Sequence, residues 1–313
     1  MKRRFFVILI TLLTVIILVN FFVPFYLEGL ESTLEITLHS WWDDDDVSTK
    51  LFSELFDKRE IKDNYKKIEI YSVFGEPPST KNEKTLYVQF SGESRYHDPS
   101  LFDVNIIPVN PIDHSNVVII PFGFYHILKN KINPSKFTTT RNYLHKKKFC
   151  LFSVTNGSCK ERNDFFTRLS QYKKVDSCGK FMNNLGYNCP GNYESEEYCD
   201  FLSQYKFLIC FENISKHNYL TEKLINAYHC NTIPIYWGCP NVSDYINMKS
   251  ILYLKPNYTE SELNELIEKI KELDNNNDLY LEMYNQPLFN SNTLDVLDKD
   301  KIRDSIDSII DLV

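Results

Sequence analysis

From residue 34 onward, short apolar runs alternate with longer amphipathic or polar stretches. Leu34-Glu35-Ile36-Thr37-Leu38 changes polarity at each step, the period of a half-buried strand. Ile68–Phe74, Thr85–Phe90 and Val117–Ile120 are further short runs rich in β-branched and aromatic residues. Helical or loop stretches such as SELFDKREIKDNYKK lie between them. A second series starts at Phe149–Val154 and continues through FLICFEN (207–213), TIPIYWG (232–238) and ILYL (251–254). Helical ERNDFFTRLSQY and LTEKLINAYHC separate these strands, and strand, helix and strand within about thirty residues make a right-handed βαβ unit. The rhythm predicts α/β architecture with mainly parallel sheets in two units. The division falls in polar, basic FTTTRNYLHKKK (137–148), giving residues 34–140 and 141–313.

Two later helices carry one apolar face each. TESELNELIEKIKEL aligns Leu263, Leu266, Ile267 and Ile270, with Thr259 and Glu262 placed for a capping box. The terminal DKDKIRDSIDSIIDLV aligns Ile302, Ile306, Ile309 and Ile310. Its polar face is acidic, so it is expected to dock on the body rather than on a membrane surface. At the other end, Lys2-Arg3-Arg4 precedes the apolar FFVILITLLTVIILVNFF, and about twenty such residues span a hydrocarbon core. A cleaved signal would have a shorter apolar core and a small-x-small site, and VNFFVPFYLEGL offers no Ala-x-Ala. The expectation is a cytoplasmic tail (1–4), a transmembrane signal-anchor (5–25) and a short stem (26–33), with the body lumenal or outside.

Composition narrows the partners. A formal charge of −7 argues against a nucleic-acid surface, which needs clustered Lys and Arg. The basic run His145-Lys146-Lys147-Lys148 reads as the solvated start of a strand. Sequons at Asn156, Asn213, Asn241 and Asn257 agree with a lumenal body. All 8 cysteines lie beyond residue 149, where an oxidising compartment would allow pairing, but their spacing does not reveal it. They form no C-x-x-C zinc pattern, and Cys210 and Cys230 sit in apolar contexts that suit buried thiols.

Candidate chemistry gathers where a strand ends and a helix begins, at Phe211-Glu212-Asn213 and Thr221-Glu222-Lys223. In doubly wound sheets ligands bind outside the carboxyl ends of strands, where helix N-termini present free N–H groups. A lysine in the first helical turn opposes the macrodipole unless an anion joins it. His217 reads as a solvated loop residue, and Tyr236-Trp237 as a strand end closed against the core. The run Trp41-Trp42-Asp43-Asp44-Asp45-Asp46 has hard oxygens that suit Mg²⁺ or Mn²⁺. Four adjacent carboxylates cannot all face one ion, so it is read as a loop.

FLICFENISKHNYLTEKLINAYHCNTIPIYWGCP resembles the donor-binding motif of the α1,3/4-fucosyltransferases, the GDP-fucose-dependent family with a two-domain GT-B fold. Upstream, KFCLFSVTNGSCKERNDFFTRLSQYKKVDSCGKFMNNLGYN is similar to the family's strand, Arg-bearing helix and following turn. VQFSGESRYHDPSLFDVNIIP is similar to its first-domain Gly-Glu loop and next strand, so the likeness covers most of residues 85–285. The resemblance implies two Rossmann-like domains facing a cleft, with 34–140 on the acceptor side and 141–313, including the C-terminal helices, binding GDP-fucose.

It also implies roles. Arg162 and Lys223 hold the pyrophosphate, and Glu222 bonds a ribose or fucose hydroxyl. Asn213 and Tyr219 line the pocket, Tyr219 against the guanine, and Glu93 is the general base. Asn213 is therefore taken as an unmodified sequon. The implied reaction is inverting transfer of L-fucose to O3 of N-acetylglucosamine in a glycan, at the Golgi membrane. No cofactor or metal ligand is required, and a divalent ion is at most stimulatory. The Asp run departs from the family, whose members carry aromatic and Gly/Pro residues there, and is placed near the acceptor. Two other readings stay open: a metal-dependent transferase for another nucleotide sugar, and a catalytically silent glycan-binding module on the same scaffold.

Overall fold

The computed structural model describes residues 34–42, 45–57, 59–109, 111, 114–141 and 146–312. The expected tail, anchor and stem, together with Asp43, Asp44 and His145, lie outside the described residues. Among the described residues no helix is long and apolar enough to cross a membrane.

The first unit is a five-stranded parallel sheet of β1 (Glu35–His39), β2 (Lys67–Ser72), β3 (Thr85–Phe90), β4 (Val104–Ile107) and β5 (Val117–Ile119), in sequential order. Helices α1 (Asp45–Leu55) and α2 (Arg59–Asn64) cross from β1 to β2, and α3 (Phe122–Lys129) follows β5. Central β3 is buried at every position, its polar Gln89 pairing with Asn105 at 2.7 Å, while β2 alternates between buried and half-buried residues. Asp45 and Asp46, expected in a loop, instead form the first turn of α1, where the dipole favours acids.

The second unit contains β6 (Lys148–Phe152), α4 (Lys160–Tyr172), β7 (Asp176–Ser177), α5 (Glu196–Ser203), β8 (Tyr205–Phe211), α6 (Glu222–His229), β9 (Ile233–Trp237) and β10 (Leu252–Tyr253). Helices α7 (Glu260–Asn275), α8 (Asn277–Tyr284), α9 (Thr293–Val296) and α10 (Lys299–Ile310) complete the chain. Counted from β6, the parallel strands run 2-1-3-4-5 across the sheet. Direction therefore reverses between β6 and β8, and the crevice at their carboxyl ends is the topological switch point where such sheets bind ligands. Period-two alternation divides β8 between two cores. Phe207, Ile209 and Phe211 pack with Phe165 and Leu169 of α4 and the apolar face of α7, whereas Leu208 and Cys210 join the core shared with the first unit. The capping box of Thr259 and Glu262 forms as the sequence indicates.

The two units meet through α3 and α6, which pack together with Gly123 N–H donating to Leu220 O at 2.9 Å. Terminal α10 does dock on the body, but on α1 and on β4 and β5 of the first sheet rather than within the second unit. Its Ile302, Ile306 and Ile309 are buried there, while Ile310 is half-buried. Lys146, expected in solvent, is also buried and donates to Ser203 O at 2.6 Å and to Asn231 O. Burial and nearby Arg141 lower its pKa to about 7.

Glu194 makes a polar bolt between the units. It is 3.2 Å from His126 Nδ1 and 3.0 Å from Lys129 Nζ, both on α3, while His126 Nε2 lies 2.9 Å from Asn226 Oδ1 on α6. His126, then Lys129 and Asn130, hold the Glu194 carboxyl down at about 2 against the opposing effect of burial. A depressed carboxyl pKa stabilises the fold above the ordinary glutamate range near about pH 4.3, and that stabilisation fades as pH falls towards 2. Glu194→Gln should therefore lower the melting temperature at pH 7 and flatten its fall between pH 5 and pH 2.5, measured by calorimetry. An unchanged acid profile would exclude Glu194 as the titrating group.

Candidate active site

A cavity of about 500 Å³ occupies the switch point. Its walls come from the loop after β6 (Ser153, Val154, Thr155, Asn156), the turn after β7 (Cys178, Gly179, Lys180), Asn213 after β8, and Glu222, Lys223 and Asn226 at the start of α6. This volume lies in the usual range of small-molecule sites, roughly 300–1,000 Å³. The Cys178–Cys189 disulfide forms part of the wall and closes the loop that carries Lys180. A second disulfide joins Cys199 to Cys230, so Cys230 is not the buried thiol its apolar context indicates, whereas Cys210 is.

The cation at the helix start has a partner that the sequence reading passed over. Glu212 directly follows β8 and is fully buried. Its Oε1 accepts Thr221 N–H at 2.8 Å, and its Oε2 accepts the Thr221 hydroxyl at 2.7 Å and Lys223 Nζ at 3.2 Å. Thr221 itself makes no side-chain cap bond, so Glu212 takes that role for the first turn of α6. Gly238, at φ +146°, lets the end of β9 pass close by; a Cβ there would stand 2.4 Å from Glu212 Cγ. Burial pushes the Glu212 carboxyl up, opposed by Lys223 and the Thr221 donors. Desolvation works against the Lys223 ammonium, but Glu212 and Glu222 outweigh it and hold its pKa well above the ordinary lysine value. Lys223 thus stays charged and anchored, with its side chain 27 % exposed towards the cavity.

Arg162 supplies a second fixed cation from the first turn of α4. It is buried, with Nη1 donating to Asn213 Oδ1 at 2.9 Å and Phe211 O at 3.3 Å, and Nη2 donating to Asn156 O at 2.5 Å. Its Nε has no protein acceptor. Desolvation lowers its pKa, opposed by Cys159 and Glu212. Of the five expected donor residues, Arg162, Asn213, Glu222 and Lys223 border one cavity, and Tyr219 does not line it.

Glu93 and Tyr219 meet across the interface of the two units. The Tyr219 hydroxyl donates to Glu93 Oε2 at 3.4 Å, and Lys216 Nζ donates to Ser94 O at 2.7 Å. Tyr219 is only 2 % exposed, so it ties the β8–α6 loop to Glu93 and lends the cavity no open ring face. Ser91 braces the Glu93 turn, accepting from Glu93 N at 3.1 Å and donating to Arg95 O at 2.7 Å. His217 is exposed, and Tyr236 and Trp237 are buried, as their contexts indicate.

Residues 143–289 match the family model for the C-terminal part of glycosyltransferase family 10 (fucosyltransferase). Over that stretch, just under half of its length, the chain resembles the family 10 fucosyltransferases. It is 40 % identical over 151 residues to an α-(1,3)-fucosyltransferase of Helicobacter pylori, a stretch that is 48 % of this chain and 29 % of that protein. A putative fucosyltransferase of Acanthamoeba polyphaga mimivirus is 34 % identical over 197 residues, 60 % of this chain and 31 % of the other. GDP-fucose protein O-fucosyltransferase 3 of Xenopus tropicalis is 28 % identical over 149 residues, 45 % of this chain and 31 % of that protein. The chain thus matches about three-tenths of the length of these relatives. A crystal structure of an α1,3-fucosyltransferase superposes with a TM-score of 0.68 at 25 % identity, covering 89 % of this chain and 90 % of that one. The family 10 match includes Arg162, Asn213, Tyr219, Glu222 and Lys223, while Glu93 lies before it.

Proposed function

We propose that this chain transfers L-fucose from GDP-β-L-fucose to O3 of N-acetylglucosamine in a glycan, with inversion at the anomeric carbon. One observation carries the reading: Arg162 and Lys223, both held by protein partners, border one cavity, and Tyr219 of the β8–α6 loop that follows Asn213 bonds Glu93 of the other unit. The diphosphate lies between the two cations, and Glu222 bonds a donor hydroxyl. Glu93 accepts the proton of the acceptor hydroxyl as its oxygen bonds the anomeric carbon. The bond to GDP breaks in the same step, through an oxocarbenium-like transition state, and both electrons leave with the diphosphate. Preorganised cations stabilise that departing charge without a metal ion. Similar structures described as complexes with GDP and with GDP-fucose support the donor assignment. We further place the body in the lumen of the Golgi behind an N-terminal anchor, a reading supported by its two disulfides.

The test is to incubate the full chain with GDP-fucose and a panel of lactosamine and chitobiose-core acceptors, with and without chelator. Fucosylated product in both conditions is expected. No transfer and no GDP-fucose hydrolysis would sink the enzyme reading, and activity lost on chelation with GDP-fucose inert would favour a metal-dependent transferase.

A further inference from the structure

The carboxyl edge of the first sheet carries an exposed aromatic surface beside Glu93. Trp42 follows β1, Phe74 follows β2, Gly92 and Glu93 follow β3, and Phe122 begins the helix after β5. Trp42 and Phe74 are 38 % and 48 % exposed, with ring centroids 5.3 Å apart and planes at 68°. The indole is held from below, with its ring 4.7 Å from Trp41 and 6.0 Å from Phe90, both nearly parallel to it. Trp41 is itself fixed by donating Nε1–H to Ser48 Oγ at 3.0 Å. Phe122 lies 6.5 Å from Trp42 and presses on Gly92, where a Cβ would come within 2.4 Å of the phenyl ring. Beyond Glu93, the Arg95 guanidinium sits 5.3 Å over the Phe74 ring. Aromatic contacts therefore bracket the Glu93 turn on both sides.

Exposed, rigidly backed rings at the ligand edge of an α/β sheet call for a flat apolar partner rimmed by polar groups. A pyranose ring has that form, with C–H groups on its face and hydroxyls round its edge. An extended peptide would instead seek a free strand edge or a groove with pockets for alternate side chains. We propose that Trp42 and Phe74 form a stacking shelf for the pyranose of a glycan acceptor, turning the accepting hydroxyl towards Glu93. This rests on the transfer reading above and names the acceptor-side residues that set its specificity.

Saturation-transfer NMR of the full chain with chitobiose and N-acetyllactosamine tests the shelf without requiring turnover. Ring-proton saturation is expected in the wild type, lost in Trp42→Ala, reduced in Phe74→Ala and retained in Trp42→Phe. Kinetics with the bound glycan should show the acceptor KM of Trp42→Ala raised about tenfold or more, with the KM for GDP-fucose unchanged. Circular dichroism melts confirm that each variant is folded. Glycan binding that survives both alanine substitutions, or no glycan binding by the wild type, overturns the proposal, as does fucosylation of peptide hydroxyls alone. Binding that depends on the shelf but comes with no transfer would overturn the transfer reading and leave the shelf standing.

Discussion

Glu93→Gln is expected to lose turnover by about 10²–10⁴-fold while GDP binding stays intact. The amide has nearly the shape of the carboxylate, and its oxygen can still accept from Tyr219 OH, now 3.4 Å from Glu93 Oε2. What it lacks is basicity, the one property that proton removal from an acceptor hydroxyl requires. Arg162 and Lys223, the cations proposed to hold the donor, lie in the other unit and are held by Glu212, Asn213 and backbone carbonyls, none of which the substitution touches. Steady-state kinetics with calorimetric GDP titration would check this. If GDP affinity falls in step with turnover, Glu93 supports the donor loop and the base lies elsewhere.

The second large effect concerns the pair of Glu212 and Lys223. Glu212→Ala strands the Lys223 ammonium and removes the acceptor of Thr221 N–H at the first turn of α6. Breaking a buried pair from one side costs about 3–5 kcal/mol, or roughly 6–20 °C in melting temperature for a domain of this size. Glu212→Gln should be milder, since it keeps an acceptor for Thr221. Lys223→Ala removes one of the cations that border the cavity, so GDP affinity should fall at least tenfold. The two variants separate the roles: GDP affinity falls in Lys223→Ala even where calorimetry shows a folded protein. GDP affinity unchanged in folded Lys223→Ala would remove Lys223 from the donor site.

Elements with one buried face were legible from pattern. The α7 helix shows Leu263, Leu266, Ile267 and Ile270 at helical spacing because its opposite side is wet, and β8 reads as an apolar run because both its faces are covered. Helix α3 was missed because it is buried almost all round from Gly123 to Lys129, so FGFYHILK has no polar face to set a period. Strand β7 is only two residues long, too short to carry an alternation. The pairing of Cys199 with Cys230 was also illegible, since spacing does not record which residues a fold brings together.

The cavity of the candidate site was readable because one βαβ unit supplies much of it: Asn213, Glu222 and Lys223 lie within a dozen residues at a strand end and helix start. Sequence alone therefore determined the two α/β units, the switch-point motif and the identity of its cations. It read Lys223 as a cation out of place at a helix N-terminus. Tertiary structure decided that the buried Glu212 holds it there, because β8 and β9 bring that carboxylate under the first turn of α6. Tertiary structure alone also brought Glu93 to Tyr219, 126 residues apart, and folded α10 back onto the first sheet. Local periodicity reports which face of an element is buried. Which other element covers that face depends on packing between distant segments, and no local spacing encodes it.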